Sequence, residues 1–382
     1  MLLIAVIALY EIMSMVWPLQ IEKIWKVLLS TLLLTAAFKE VIFRYLGGKM
    51  FFAPLLPRWL ILTGALMFNF FVLALFLAVL KDVIWLTWKF CRALGMTSRS
   101  FPAGEASLFA AAIALFLTLY GTWEAIRVPD VTVHDVYLPG LAKEFEGTKI
   151  VLLVDLHASA LNRKPFIQSI VDKTNILSPD IILIPGDFVD GPVEERKNDL
   201  EPLSTLNAAL GVFGSSGNHE YYSGYEEWKK QLSKYGVMIL ENEHVMLTSN
   251  DSNLVIAGIP DQQGANLKGN GTLSFEAPNV EKALQGAPNN APVILMAHRP
   301  ETVKKNAQAG IALQVSGHTH GGLMPFIGQL IAFFNGGYIR GWYNVGTTNL
   351  YVSRGTSLWS GFPMRLMDPA EITLFVLHSQ EK

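Results

Sequence analysis

From residue 59 to residue 80 the chain carries no charge, and Arg58 and Lys81 close the run on either side. At about 1.5 Å per helical residue, a run of this length reaches across a hydrocarbon core of roughly 30 Å. A second uncharged run, 106–123, ends before Glu124 and Arg127. Neither run has the polar face that a core helix of a globular protein keeps towards water. Two weaker runs precede them. Residues 1–21 are interrupted only by Glu11, with Pro18 near the end, and residues 27–43 stay apolar until Lys39 and Glu40, which can pair or reach for the interface. The first run lacks the basic start and small-residue cleavage site of a removable leader. The pattern predicts about four transmembrane helices within residues 1–127.

Beyond residue 148 the pattern changes. Short apolar, β-rich runs at 150–154, 181–184, 211–213, 254–257, 293–296, 313–315, 350–352 and 372–377 read as strands. Between them, 165–177, 224–235, 280–284 and 301–308 read as helices, with Ser223 and Asn279 as candidate caps. Alternation of this kind predicts an α/β domain with buried strands over residues 128–382, whose ligands sit beyond the carboxyl ends of the strands.

Charge separates the same two parts. Residues 1–127 carry a formal +5 and residues 128–382 a formal −7, out of the chain total of −2. An acidic domain is poorly suited to neutralising a phosphate backbone, so nucleic acid is not an expected partner. With four spans, Lys23 and Lys26 share a side with Lys81, Lys89, Arg92 and Arg99, against Arg44, Lys49 and Arg58 on the other. The excess of basic residues inside then predicts an integral protein of a bacterial inner membrane with its large domain outside the cytoplasm. Cys91, the single cysteine, excludes an internal disulfide and a cysteine-rich zinc site and reads as apolar filler.

Five of the eight histidines fall into clusters directly after predicted strands. These are Asp155-Leu156-His157, then Gly186-Asp187-Phe188-Val189-Asp190, Gly217-Asn218-His219-Glu220, Ala297-His298, and Gly317-His318-Thr319-His320. Carboxylate, amide oxygen and imidazole suit divalent ions such as Mn, Zn or Fe. In an extended segment alternate residues point the same way, so D-x-H and H-x-H each present two donors to one side. One such cluster is usually incidental. Five in succession are not, because buried Asp and His without partners are costly.

The order D-x-H, G-D-x-x-D, G-N-H-E, H, G-H-x-H resembles the calcineurin-like metallophosphoesterase superfamily. His318-Thr319-His320-Gly321-Gly322, Ser353-Arg354-Gly355, Pro363-Met364-Arg365-Leu366 and Pro369-Ala370-Glu371-Ile372-Thr373 are similar to its membrane-associated YaeI/YkuE-type branch. The resemblance implies a four-layer α/β fold, two β-sheets flanked by helices, here preceded by the all-α transmembrane bundle. It implies two divalent ions, Asp155, His157, Asp187 and His320 holding the first and Asp187, Asn218, His298 and His318 the second. It also implies His219 as general acid and Asp190 as a partner behind a histidine. The function implied is hydrolysis of a phosphodiester or pyrophosphate by metal-activated hydroxide, the ions lowering the pKa of water from about 15.7 towards 7. Membrane attachment turns the expected substrate towards a lipid or lipid-linked phosphate ester. Arg299, which stands where relatives often have Asn, and Arg354 are candidate phosphate contacts or plain salt-bridge partners.

The rivals lack their own elements. Zincins need H-E-x-x-H, but Tyr221-Tyr222-Ser223 follows His219-Glu220. Zinc deaminases need paired cysteines. The alternative that remains is a catalytically inactive membrane scaffold on the same fold. His134, His244 and His378 are expected at the surface or in loops. Trp342, Tyr343, Trp359 and Phe362 suit either an apolar entrance or core packing.

Overall fold

The computed structural model describes residues 1–48, 50, 52–267 and 275–380. The chain forms two compact units, Met1–Glu124 with Ser360–Leu366, and Ala125–Trp359 with Met367–Lys382.

The first unit is helical. Helix α1 (Leu2–Glu11) runs into a π-turn at Ile12–Val16 and is followed by α2 (Lys23–Ala37) and α3 (Lys39–Gly47). The apolar run 27–43 is therefore not one rod: the backbone leaves helical geometry at Phe38 (φ −97°, ψ 12°). Helices α4 (Arg58–Ala93) and α5 (Ala103–Ile126) are, among the described residues, the two long and apolar enough to cross a membrane. At 1.5 Å per residue α4 is about 54 Å long. Small side chains set the packing, with Ala8, Ala36 and Ala37 buried against Phe71, and Met15 against Ala78 and Ala110. Residues 360–366 are tied into this unit by hydrogen bonds. Asn69 Nδ2 donates to Pro363 O and to Thr122 Oγ1, both at 2.9 Å, Lys39 Nζ to Gly361 O at 2.6 Å, and the Arg365 N–H to Gly121 O at 3.0 Å. Polar groups buried in an apolar bundle need such partners.

The second unit holds two mixed six-stranded sheets among its described residues. Its strands are β1 (Asp130–Pro139), β2 (Lys149–Leu152), β3 (Ile181–Pro185), β4 (Gly211–Ser215), β5 (Met238–Ile239), β6 (Glu243–Ser249), β7 (Ser252–Gly258), β8 (Val293–Met296), β9 (Leu313–Ser316), β10 (Gly341–Val345), β11 (Thr348–Val352) and β12 (Glu371–Gln380). One sheet has the order β1-β12-β2-β3-β4-β5, with β2 to β5 parallel. The other has the order β10-β11-β9-β8-β7-β6, with β7, β8, β9 and β11 parallel.

All eight expected strands form, and the four not foreseen are β1, β5, β6 and β10, the outer strands of the two sheets. The physical reason is burial. Central strands are covered on both faces and read as unbroken apolar runs, whereas edge strands alternate with polar residues. Ile150 and Leu152 of β2 and Ile181 and Leu183 of β3 point between the sheets, where they meet Leu254, Ile256, Ile294, Met296, Leu313 and Val315. Val151, Ile182 and Ile184 point the other way, onto α6 (Lys164–Ile176), α7 (Val193–Leu200) and α9 (Tyr225–Lys234), through Ile167, Ile170, Leu200, Trp228 and Leu232. Val255, Ala257, Val293 and Leu295 cover the outer face of the second sheet with Val280 and Ala283. The result is the expected four-layer architecture, helices outside two sheets.

Local expectations fare unevenly. The Asn279 side chain caps the helix Val280–Ala283 by accepting the Lys282 N–H at 2.9 Å. Ser223 is not the cap of α9; it ends the short helix α8 (Asn218–Ser223), and its Oγ accepts the Gly191 N–H at 3.0 Å. Gly224 takes the cap position with φ 102°, a left-handed conformation that glycine adopts without steric cost. The helix expected at 301–308 divides into three short turns, Pro300–Thr302, Val303–Asn306 and Ala307–Ala309.

Candidate metal centre

The five clusters leave the carboxyl ends of β2, β3, β4, β8 and β9, all interior strands of their sheets. Hydrogen bonds continue past the ends of β2 and β3. The His157 N–H donates to Asp187 O at 3.0 Å, the Ala158 N–H to Phe188 O at 2.9 Å, and the Asp190 N–H to Ala158 O at 2.9 Å. The D-x-H and G-D-x-x-D loops are therefore laced side by side. Asp155, His157, Asp187, His318 and His320 all have positive φ, between 41° and 68°. Such backbone costs on the order of 1–3 kcal/mol per non-glycine residue and persists where the surroundings force it. A Cβ on Gly217 would fall on Asp187 Oδ1, and one on Gly355 (φ 82°) would lie 2.9 Å from Asp155 Oδ2 and 3.1 Å from His320 Nδ1. Both glycines are there so that backbone can lie against the carboxylates.

Three groups of donors converge, each with one atom per residue within 4.8 Å of the others: Asp155, His157 and His320; Asp187, His298 and His318; and His157, Asp187 and His219 between them. Asp187 Oδ2 lies 3.3 Å from His298 Nε2 and 3.6 Å from His157 Nε2. The Nε2 atoms of His157 and His320 are 3.3 Å apart. Asp155 accepts the His318 N–H on both carboxylate oxygens at 3.2 Å. Asn218, between Gly217 and His219, is buried, and its Oδ1 accepts no hydrogen bond.

Three of the imidazoles are oriented from behind. His298 Nδ1 donates to Pro185 O at 2.9 Å, which turns the buried Nε2 towards Asp187 Oδ2 at 3.3 Å. Asp190 Oδ1 accepts from His157 Nδ1 at 3.0 Å and from His219 Nδ1 at 2.6 Å, so one carboxylate fixes two rings. Burial pushes the Asp187 carboxyl up, but His298, His219 and His157 together outweigh it and hold it well below the usual carboxylate range. Burial likewise pulls His298 down, and Asp187 and Asp155 overcome this to raise it to about 10. Cation uptake here displaces that proton, so affinity rises with pH. His318 moves the other way: burial, then His298 and Arg299, hold it well below the usual range.

These observations fit a divalent ion. Asn218 Oδ1, buried and without a hydrogen-bond partner among the described residues, joins the imidazole and carboxylate donors gathered around Asp187. Structures rarely leave such groups orphaned unless something binds them.

Glu220 was given no role by the sequence reading, and the structure gives it one. Its buried carboxylate accepts the N–H groups of Asp187 at 3.0 Å, Phe188 at 2.7 Å and Gly217 at 2.7 Å. It thereby ties the β3 loop to the β4 loop. Burial, reinforced by Asp187, raises it to about 7. Its place next to Asn218-His219 was the available signal.

The two arginines differ. Arg354 is taken up by Glu371, with Nη2 and Nε at 2.6 and 3.1 Å from Oε2, and its Nη2 also donates to Thr132 Oγ1. Arg299 donates Nε to Asp261 Oδ2 at 2.7 Å, the one hydrogen bond of its guanidinium among the described residues. The remaining histidines stay apart from the cluster. His134 lies on β1 beside Tyr351, His244 Nδ1 donates to Ala283 O, and His378 pairs with Glu146 and Asp135.

Residues 148–322 match the family model described as Calcineurin-like phosphoesterase. A zebrafish (Danio rerio) protein named transmembrane protein with metallophosphoesterase domain is 32% identical over 338 residues, 84% of this chain and 74% of that one. The Bacillus subtilis protein named uncharacterized metallophosphoesterase YkuE is 30% identical over 296 residues, 74% of this chain and 98% of that one. Among solved structures, the Thermus thermophilus sulfate thiohydrolase SoxB aligns with a TM-score of 0.41 and 13% identity, over 62% of this chain and 57% of that one.

Glu220 sets up a direct test. Glu220→Gln substitutes a donor for one of the acceptor atoms that three N–H groups use. Supporting groups of this kind typically contribute 10–100-fold to metal affinity, so a loss of about that size is expected in competition with a chromogenic chelator. Unchanged affinity contradicts the role.

Proposed function

The chain belongs to the calcineurin-like phosphoesterases, and from that premise we propose that it is a membrane-anchored hydrolase of phosphate esters using a pair of divalent ions. The observation that carries this reading is the convergence of Asp155, His157, His320, Asp187, His298 and His318 on one space, with Asp187 in two of the three donor groups. Asp155, His157, Asp187 and His320 would hold one ion, and Asp187, Asn218, His298 and His318 the other. When bound, such a pair polarises the phosphoryl group and makes hydroxide available near neutral pH. The donor set suits Mn, Zn or Fe.

The chain's own residues supply the rest. Burial lowers the basicity of His219, and the carboxylates of Asp187 and Asp190 overcome this to raise it to about 9. Its Nδ1 pairs with Asp190, and we assign its Nε2–H as the proton donor to a leaving oxygen. Asp190 acts as a positioning residue, since it reaches the reaction through His157 and His219. We assign the phosphate contact to the outer edge of Arg299, held by Asp261, rather than to Arg354, which Glu371 occupies. A phosphodiester or pyrophosphate on a lipid is the substrate class that agrees with attachment through α4 and α5.

The connection between α4 and α5 carries Arg99, with Lys89 and Arg92 in the last turns of α4. By the positive-inside tendency this connection is cytoplasmic and the phosphoesterase unit lies on the other side. Protease added to intact cells should cut that unit while cytoplasmic markers survive. Complete protection reverses the orientation.

The chemistry is tested with His219→Asn. The variant should retain its metal ions and lose about 10²–10⁴-fold in kcat on diesters with alkoxide leaving groups, but far less on p-nitrophenyl esters, whose leaving group needs little protonation. Equal losses on both classes contradict the acid role. A metal-loaded, folded wild-type chain with no turnover on either class would instead favour the scaffold reading.

A further inference from the structure

The loop that carries His318 and His320 continues into the most exposed apolar surface of the phosphoesterase unit. Residues 321–339 contain no charged side chain. They form the helix Ile327–Phe334 and its flanks, and present Phe326, Leu330, Phe333 and Phe334 to the outside at 76, 58, 77 and 71% exposure. Met367, 79% exposed, borders the same region beside Asp368. Folded proteins rarely leave this much contiguous aromatic and aliphatic surface uncovered unless something docks on it. Nor is the helix an unanchored excursion. Thr319, between the two histidines, donates its hydroxyl to Ile339 O at 2.6 Å, and Arg340 Nη1 donates to Gly321 O at 3.0 Å. Both ends of the apolar stretch are thus fastened to the H-x-H turn. Against the helix lies a recess of about 360 Å³, bordered by Met324, Gly328, Ile339, Arg340, Met367 and Asp368.

We propose that the helix Ile327–Phe334 lies in the interface of a lipid bilayer and opens the metal centre to phosphate esters carried by lipids. This rests on the hydrolase reading above and adds where the substrate comes from. The occupant is a bilayer for three reasons. The same chain contains α4 and α5, each of a length and apolarity to cross one. Met367 follows directly on Leu366, the last residue of the segment that belongs to the helical unit. Residues 321–339 also offer no charge with which to pair a protein partner, and Arg340 and Asp368 at their border pair with each other at 2.9 Å. At eight residues the helix is about 12 Å long, too short to span a hydrocarbon core of roughly 30 Å, so it lies in the plane of the surface. Without Lys or Arg on this stretch, insertion is driven by apolar area and needs no anionic lipid.

The test uses the full chain in phosphatidylcholine nanodiscs. A nitroxide is attached at Phe333→Cys in a Cys91→Ser background, with a reference label at Lys197→Cys on the polar helix α7. Collision with oxygen, which concentrates in lipid, is compared with collision with a water-soluble nickel complex. The expected result is oxygen dominance at 333 and nickel dominance at 197. Nickel dominance at 333 overturns the proposal, and so does shielding from both, which would mean that a second copy or another protein surface covers the face. The functional arm compares wild type with the triple variant L330Q/F333Q/F334Q, whose sites are exposed and whose folding should be unaffected. Bis-p-nitrophenyl phosphate should turn over within twofold of wild type, while the p-nitrophenyl ester of phosphatidic acid in the nanodisc should fall about tenfold or more, the scale set by three lost apolar side chains. Equal effects on the two substrates contradict the proposal. Retained turnover of the soluble ester, with the chain still held in the nanodisc, separates that failure from failure of the hydrolase reading itself.

Discussion

Three buried carboxylates and five imidazoles share a space at the ends of two apolar sheets, and the surrounding structure is shaped by keeping that charge neutralised. Asp155, Asp187 and Asp190 are all buried, and isolated ionised carboxylates there would be prohibitively costly. The histidines offset part of this, Asp187 being held ionised by the rings around it. The offset is incomplete, since among the described residues Asn218 Oδ1 and Asp190 Oδ2 find no hydrogen-bond partner. Divalent cations at this site would complete it. Catalytic capacity follows from the same arrangement, because whatever neutralises the carboxylates also attracts a phosphoryl group.

Holding these groups together consumes conformational freedom that only a rigid frame can impose. Five of the site residues sit in left-handed backbone, and Gly217 and Gly355 let neighbouring backbone press against carboxylate oxygens. The frame comes from strands covered on both faces: β2 and β3 send alternate residues into the space between the sheets and onto the outer helices. Glu220 transmits this rigidity to the loops by gathering three N–H groups from two of them.

Much of this was legible in the sequence, for identifiable reasons. Central strands such as 181–184 are uniform apolar runs because both faces are buried, and the donors are conspicuous because Asp and His follow those runs at spacings of two and three. Edge strands were not legible: in β1, Asp130, His134 and Asp135 break up the apolar pattern, Asp130 and Asp135 exposed and His134 half-buried beside Tyr351. Glu220 was overlooked because its function is to accept backbone hydrogen bonds, which leaves no spacing signature. Three of the four aromatics weighed for an entrance pack against other rings. Trp342 packs with Tyr351 and Phe375, Tyr343 with Tyr338, and Phe362 with Phe68 of α4 inside the helical unit. The exposed apolar side chains lie instead at 326–334, whose short run between glycines gave no reason to expect a helix. Membership of residues 360–366 in the helical unit rests on backbone carbonyls meeting Lys39 and Asn69, which no side-chain pattern records.

The most direct measurement is metal stoichiometry on the purified full chain, stripped by chelator and titrated with Mn(II) under paramagnetic resonance. Two donor sets that share Asp187 require two ions per chain at saturation, with the exchange-coupled spectrum of a pair bridged by a common ligand. A chain that saturates with one isolated ion, or that binds none while remaining folded, contradicts the account.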